Sequence, residues 1–307
     1  MKGVKIMNEK RILVTGATGL IGKEVLKPLR ERGFTVFATK LPHEIVQPME
    51  GVEWLDCDLF QEHDISYACA TARAGYLLNF AWCTRDDYLS SNMNFDFFTA
   101  SLHLLKHFHK NGGQRFIGAG TCFEYAFRDT ALTEDAPTAP QTIYAKCKDH
   151  LHEMSEIFAM LNDVECGWGR IFFVYGRGEH TKRLGGKLIH NFRAGEPVFI
   201  PKIDLIRDYI YTRDIAGAFA AFADSAVIGT VNICTGKAIT LRDFAGAFAK
   251  ELHAESLLRL DPEINIDNQP HLIAGVNRRL REEVGYEIRY DLQTAVREII
   301  RAAEENK

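Results

Sequence analysis

Short apolar runs alternate with stretches of helical period through the first two-thirds of the chain. Runs at Ile12–Thr15, Thr35–Thr39, Tyr76–Phe80, Arg115–Ala119 and Val164–Phe173 predict strands. Between them, Lys23–Arg32, Phe95–Lys110 and Lys146–Leu161 repeat apolar positions three and four apart, which predicts helices. Such alternation predicts an α/β fold: a doubly wound parallel sheet with helices on both faces. Ligands of these sheets bind outside the carboxyl ends of the strands. Gly16, Ala81 and Thr121 are therefore expected around one crevice, although they are far apart in sequence.

The pattern changes over Gly178–Arg207, which carries a glycine pair, two prolines, many cations and one helical stretch at Lys187–Arg193. Strand signals resume at Ile210–Tyr211 and Val231–Ile233. Helical patterns follow at Ile215–Asp224, Leu241–Leu252 and Leu292–Glu305. No linker, repeat or low-complexity tract is visible.

Composition narrows the class. A chain of 307 residues, 46% hydrophobic and 25% charged, suits a globular protein with a sizeable core. A net charge of −4 argues against nucleic acid or an anionic membrane surface as partner. Met1–Lys10 carries four charges and no apolar segment of the secretory kind, and no run is long enough to span a bilayer. The seven cysteines include no Cys-x-x-Cys pair, so neither a metal site nor a disulfide framework is expected. Reduced thiols and a cytoplasmic location fit best.

The densest chemical signal is Thr15-Gly16-Ala17-Thr18-Gly19-Leu20-Ile21-Gly22, set between the first strand and the first helix. Glycine allows the tight turn and lets backbone approach a pyrophosphate closely; the helix N-terminus adds free N–H groups. This is the place for a dinucleotide, in the first βα unit of a Rossmann-type sheet. Tyr144 and Lys148 form a second signal, Tyr-x-x-x-Lys at the start of a helix. Residues four apart share a helical face. A phenol titrates near ~10, so tyrosine needs a neighbouring ammonium to serve as an acid–base at neutral pH. Hydride transfer at an alcohol carbon requires such a proton mover at its oxygen.

With these motifs the chain resembles the extended branch of the short-chain dehydrogenase/reductase superfamily, the sugar-nucleotide epimerases, dehydratases and ketoreductases. The resemblance runs nearly end to end. It also rests on Arg170 followed by Val174-Tyr175-Gly176, on Arg207-Asp208-Tyr209-Ile210-Tyr211 with Asp214-Ile215, and on Val231-Asn232-Ile233-Cys234-Thr235-Gly236. It implies a third catalytic group, Thr121, whose hydroxyl holds the substrate oxygen against Tyr144. The family's 4,6-dehydratases place an Asp–Glu pair after that hydroxyl. Here Cys122 and Phe123 stand there, which argues against dehydration. Ketone reduction, alcohol oxidation and 4-epimerisation need only Thr121, Tyr144, Lys148 and the nicotinamide. A 3,5-epimerase-reductase would add Cys122 and His180, although a buried thiol and a loop histidine are the plainer reading. The same fold would also serve a cofactor-sensing regulatory protein or a reductase of free sugars.

The resemblance also assigns the ligands. Gly16, Thr18, Gly19, Leu20, Ile21 and Gly22 are expected on the cofactor, with Asp58 and Leu59 at the adenine, and Phe80, Ala81 and Phe172 near the nicotinamide. Lys40 ends the second strand where NAD enzymes carry an acid, which favours NADP over NAD. Arg207, with Arg183 and Lys187, is expected to bind the diphosphate of a nucleotide sugar, since a guanidinium pairs well with phosphate. Residues 1–175 form the expected dinucleotide-binding domain, with 208–236 returning to it. Residues 176–207 and 237–307 form a smaller, mixed α/β substrate lobe. A homodimer is expected.

Overall fold

The computed structural model describes residues 10–84, 87–201, 204–261 and 269–305. Most of the charged N-terminal stretch, residues 1–9, lies outside them. In chain order the elements begin β1 (Arg11–Thr15), α1 (Gly22–Glu31), β2 (Thr35–Lys40), β3 (Val52–Asp56), α2 (Glu62–Ala72) and β4 (Tyr76–Asn79). They continue α3 (Met93–Lys110), β5 (Arg115–Thr121), α4 (Ile143–Asn162), β6 (Glu165–Ile171), β7 (Phe173–Tyr175) and α5 (Leu184–Arg193). Then come β8 (Val198–Pro201), β9 (Ile206–Arg207), β10 (Tyr209–Tyr211), α6 (Thr212–Asp224), β11 (Gly229–Ile233) and β12 (Ile239–Thr240). The last are α7 (Leu241–Glu251), β13 (Leu258–Asp261), β14 (Leu272–Ile273), α8 (Arg278–Glu282) and α9 (Leu292–Glu305).

Seven strands form the main sheet in the order β11-β6-β5-β4-β1-β2-β3. The pairs β1–β2, β1–β4, β2–β3 and β4–β5 are parallel. This is the expected α/β sheet. Its order reverses between β1 and β4, so the residues following those two strands face the same end of the sheet. One strand-to-helix step, β3 to α2, escapes the sequence pattern. β3 is a short edge strand with only Leu55 fully buried, and α2 is rich in small residues with little amphipathic contrast. The predicted strand Val164–Phe173 is two strands, broken at Phe172, whose N–H donates to the Ile233 carbonyl at 3.1 Å.

The chain divides into two compact units, 1–124 with 140–170 and 216–231, and 125–139 with 171–215 and 232–307. The first buries Leu13, Phe37, Leu77, Leu104, Phe108, Phe116, Leu151 and Trp168 between sheet and helices. Such side chains contribute ~1.5–3 kcal/mol each on burial. Trp168 fits there because Gly118 and Gly120, on one face of β5, leave it room: a Cβ at Gly118 would lie 2.1 Å from its ring. The second unit packs Tyr175, Leu188, Phe192, Phe244, Phe248 and Ile299, with Tyr209 stacked on Phe244 at 3.9 Å. Two buried aspartates brace it. Asp208 accepts from the backbone and hydroxyl of Thr235 and from Gly236 N–H. Asp214 accepts from the Tyr286 hydroxyl and from the N–H groups of Arg289 and Tyr290. Among the described residues no helix is long and apolar enough to cross a membrane.

Candidate active site

The glycine motif makes a tight turn between β1 and α1. Gly16 has φ +66°, and a Cβ there would stand 2.7 Å from the Ala81 nitrogen. A Cβ at Gly22 would meet the Gly16 carbonyl oxygen at 2.0 Å. Only glycine lets the loop close on the chain after β4 and lets α1 start against the loop. Gly19 N–H donates to the Gly16 carbonyl at 3.0 Å, and the Ile21 carbonyl opens the first helical turn. Leu20 and Ile21 are half-buried, and Gly19 is exposed. Behind the loop, the Thr15 hydroxyl donates to Asn79, and Asn79 donates to the Ser101 hydroxyl, tying β1 to β4 and α3.

The end of β2 is more anionic than its sequence suggests. Lys40 is ion-paired with Asp56, its register partner on β3. Glu44 turns back so that its carboxylate accepts from the Thr18 hydroxyl at 3.1 Å and from Leu41 N–H at 2.9 Å. Asp58 accepts from Phe60 N–H, and Leu59 packs on the core of the unit. Phe80 is turned to Phe219, ring centroids 4.8 Å apart, so its backbone rather than its ring meets the glycine loop.

Thr121 ends β5, and Tyr144 and Lys148 lie one turn apart in α4, whose start is fixed by Thr142 accepting from Ala145 N–H. The Thr121 hydroxyl accepts from Phe123 N–H at 3.3 Å and is near enough to the Tyr144 phenol to favour its phenolate, while Lys148 follows one turn later in α4. Lys148 is buried. Its ammonium donates to the Ala119 carbonyl at 2.8 Å and lies 3.8 Å from the centre of the Trp82 ring. Burial lowers its pKa to about 7, against the opposing pull of Glu124. Burial pushes the Tyr144 phenol far above its ordinary range; Tyr88 and Glu124 add to this, and the Thr121 hydrogen bond opposes it. Tyr88 meets Tyr144 edge-on at 4.9 Å. The Trp82 indole donates to Asn94, which donates in turn to the Tyr88 carbonyl. Cys122 is buried in the turn after β5 and Phe123 is half-buried.

The second unit holds the remaining candidates. Phe172 is buried, its ring where a Cβ on Gly275 would stand. His180 accepts from Lys182 N–H, Arg183 stands at the start of α5, and Lys187 is exposed. Arg207 is buried; its guanidinium donates to the carbonyls of Ile206 and His271 and lies over the Phe173 ring. Glu179 is largely enclosed, and burial raises its carboxyl to about 7. Trp82, Tyr88, Glu44 and Glu124 were missed by sequence reasoning. An aromatic residue directly after Ala81 was the one signal that could have found Trp82. Glu44, Tyr88 and Glu124 lie in the segments that follow β2, β4 and β5.

Among the described residues no group of three or more His, Cys, Asp or Glu could hold a metal ion. The chain is 24% identical over 267 residues to dTDP-6-deoxy-L-talose 4-dehydrogenase (NAD(+)) of Aggregatibacter actinomycetemcomitans, covering 83% of this chain and 94% of that one. It is 20% identical to CDP-abequose synthase of Salmonella muenchen, covering 95% and 97%. Its fold matches that of UDP-glucose 4-epimerase from Thermotoga maritima, solved with UDP-glucose, with a TM-score of 0.85 at 19% identity, covering 96% and 99%. The model of the NAD dependent epimerase/dehydratase family matches residues 12–234, where the glycine loop and the Thr121–Tyr144–Lys148 set lie, and the chain belongs to that family.

Proposed function

We propose that the protein is a nicotinamide-dependent oxidoreductase acting at C4 of a nucleoside-diphosphate deoxyhexose, reducing a 4-keto group or oxidising the corresponding alcohol. The observation that carries this is Thr121 at the end of β5 beside Tyr144 of α4, with buried Lys148 one helical turn on. The cradle at Gly16 and Gly22, which a Cβ would fill, fits a dinucleotide, with Thr18, Leu20 and Ile21 around it. When bound, the nicotinamide supplies hydride exchange with the substrate carbon. Tyr144 moves the proton at the substrate oxygen. Thr121 holds that oxygen and the phenol in line. Lys148, when protonated, favours the phenolate and so opposes the effect of burial. Cys122 and Phe123 supply no carboxylate for eliminating water. The 4-dehydrogenase and the abequose synthase among the relatives support the same chemistry.

The same side chains favour NAD as the cofactor. Lys40 suggested NADP, but its charge is engaged by Asp56, and the Glu44 carboxylate bonded to Thr18 would repel a 2′-phosphate and accept from a ribose hydroxyl. The protein is proposed to work in the cytoplasm as a homodimer, through the exposed Phe95 of α3 and Met154, Ile157 and Leu161 of α4. Arg207, Arg183 and Lys187 are proposed for the diphosphate.

The test is nicotinamide absorbance with NADH and NADPH against a panel of nucleoside-diphosphate 4-keto-6-deoxyhexoses. Net oxidation of NADH supports the proposal. Interconversion of two 4-epimers without net cofactor consumption would make the protein a 4-epimerase.

A further inference from the structure

The turn after β5 buries a carboxylate that the chemistry above does not use. Glu124 is fully buried at the end of the turn Cys122–Glu124. Its Oε1 accepts from Thr121 N–H at 2.7 Å, the backbone of the residue whose hydroxyl meets Tyr144. The Trp168 indole donates to both carboxylate oxygens, at 3.1 and 3.0 Å. Arg170 Nε donates to Oε2 at 2.6 Å. Arg170 is itself buried, with its other end 3.8 Å from Asp149, the residue after Lys148. Gly120 admits this arrangement, since a Cβ there would lie 2.6 Å from Glu124 Oε1 and 2.2 Å from the Trp168 nitrogen.

A buried charged pair of this kind adds little net stability, because desolvation offsets its attraction. Its hydrogen bonds have a direction, however, and they end on the catalytic groups. We propose that Glu124, anchored by Arg170 and Trp168, is a positioning residue: it fixes the backbone of Thr121 against Tyr144 and sets a negative charge behind Lys148. This rests on the reading of Thr121, Tyr144 and Lys148 as the catalytic set. The groups facing Lys148 are Glu124 from the β5 turn and Cys147 from its own helix; those facing Tyr144 are Tyr88, Cys122, Thr121 and Glu124. Among the charged ones, Glu124 favours ammonium on Lys148 and disfavours phenolate on Tyr144. It therefore favours the protonated form of both groups.

Two substitutions in the full chain separate position from charge. Glu124→Gln keeps the acceptor for Thr121 and loses the charge. Glu124→Asp keeps the charge and draws it back from Thr121 N–H. Lys148 is followed by NMR of protein labelled with ¹³C at lysine Cε, its signal identified by its absence in Lys148→Met. Turnover is measured with NADH and a dTDP-4-keto-6-deoxyhexose, and folding by circular dichroism. In Glu124→Gln the Lys148 midpoint is expected to fall by about one pH unit, with kcat near neutrality down roughly tenfold. In Glu124→Asp the midpoint is expected to stay and kcat to fall roughly tenfold. A wild-type midpoint in folded Glu124→Gln overturns the inference, as does wild-type kcat in Glu124→Asp. If Glu124→Gln does not fold, Glu124→Asp decides alone. The Lys148 titration needs no substrate, so it stands if the proposed substrate is wrong. A Tyr144→Phe variant with full turnover would instead sink the catalytic reading itself.

Discussion

The two units hold their motif residues differently. In the first, the functional groups stand where strands end, and neighbouring backbone holds them in place: Thr121 at the end of β5, Gly16 at the end of β1, Tyr144 and Lys148 at the start of α4. In the second, Arg207, Asp208 and Asp214 are all buried, and each is bonded to backbone groups of its own unit. The motif proposed for the phosphate thus also braces its unit. A guanidinium bonds a carbonyl oxygen as readily as a phosphate oxygen, and the spacing of an arginine in sequence does not separate the two. Motif residues in the second unit are bonded into its fold; those proposed for the reaction in the first stand at the ends of its elements.

The largest effect that would break this contrast is on turnover. Tyr144→Phe removes the proton mover and is expected to lower kcat by about 10³-fold, with the unfolding temperature and cofactor affinity near wild type. Comparable residual turnover would place the acid–base elsewhere. Next comes the glycine loop. Gly22→Ala sets a Cβ 2.0 Å from the Gly16 carbonyl, and Gly16→Ala adds a strained φ of +66° to a clash with Ala81. Each is expected to weaken NAD binding at least tenfold and to lower stability by roughly 1–3 kcal/mol, read by calorimetric titration and thermal unfolding. Unchanged affinity would remove the loop from the cofactor site.

In the second unit the expected effects are on stability first. Asp214→Ala leaves the Arg289 and Tyr290 N–H groups and the Tyr286 hydroxyl without this acceptor, and is expected to cost about 1–3 kcal/mol. Lys148 should still titrate as in wild type. Arg207→Ala similarly strips the Ile206 and His271 carbonyls. If Arg207 is mainly a brace, the unfolding temperature falls while KM for the sugar nucleotide in the folded fraction stays within about twofold. A KM rise of tenfold or more, with stability unchanged, would make it a ligand to phosphate.

How legible each region was follows from how local its signals are. The glycine loop and the Tyr-x-x-x-Lys pair are short, so spacing alone located them, and Thr121 followed from the resemblance. Glu44 and Lys40 show the opposite case. Lys40 read as a cation for a phosphate, yet its partner Asp56 comes from the next strand, and β3 gave no signal because this short edge strand carries acids at two of its five positions. In an extended chain Glu124 would point to the face opposite Thr121 and Phe123. A tight turn replaced the extended chain there, and its carboxylate folds back on Thr121. Pairings across strands and turns are the information a linear pattern omits.

A last comparison sets one buried ionisable group in each unit against the other. Lys148 titrates at about 7 in the fold against an ordinary 10.5, and Glu179 at about 7 against 4.5, both through burial. Between 7 and 10.5 the unfolded chain holds more protons at Lys148 than the folded one, so its contribution to stability rises with pH. Between 4.5 and 7 the folded protein holds more protons at Glu179, so its contribution falls as pH rises. Unfolding of the cofactor-free protein, followed by denaturant titration across both windows, separates them. Lys148→Met is expected to flatten the alkaline limb and leave the acid limb alone; Glu179→Gln should do the reverse. If Glu179→Gln leaves the acid limb unchanged, the carboxylate is held charged at the start of α5 by Arg183 and the nearby backbone N–H groups. The second unit would then carry a functional anion where its fold otherwise consumes its charges.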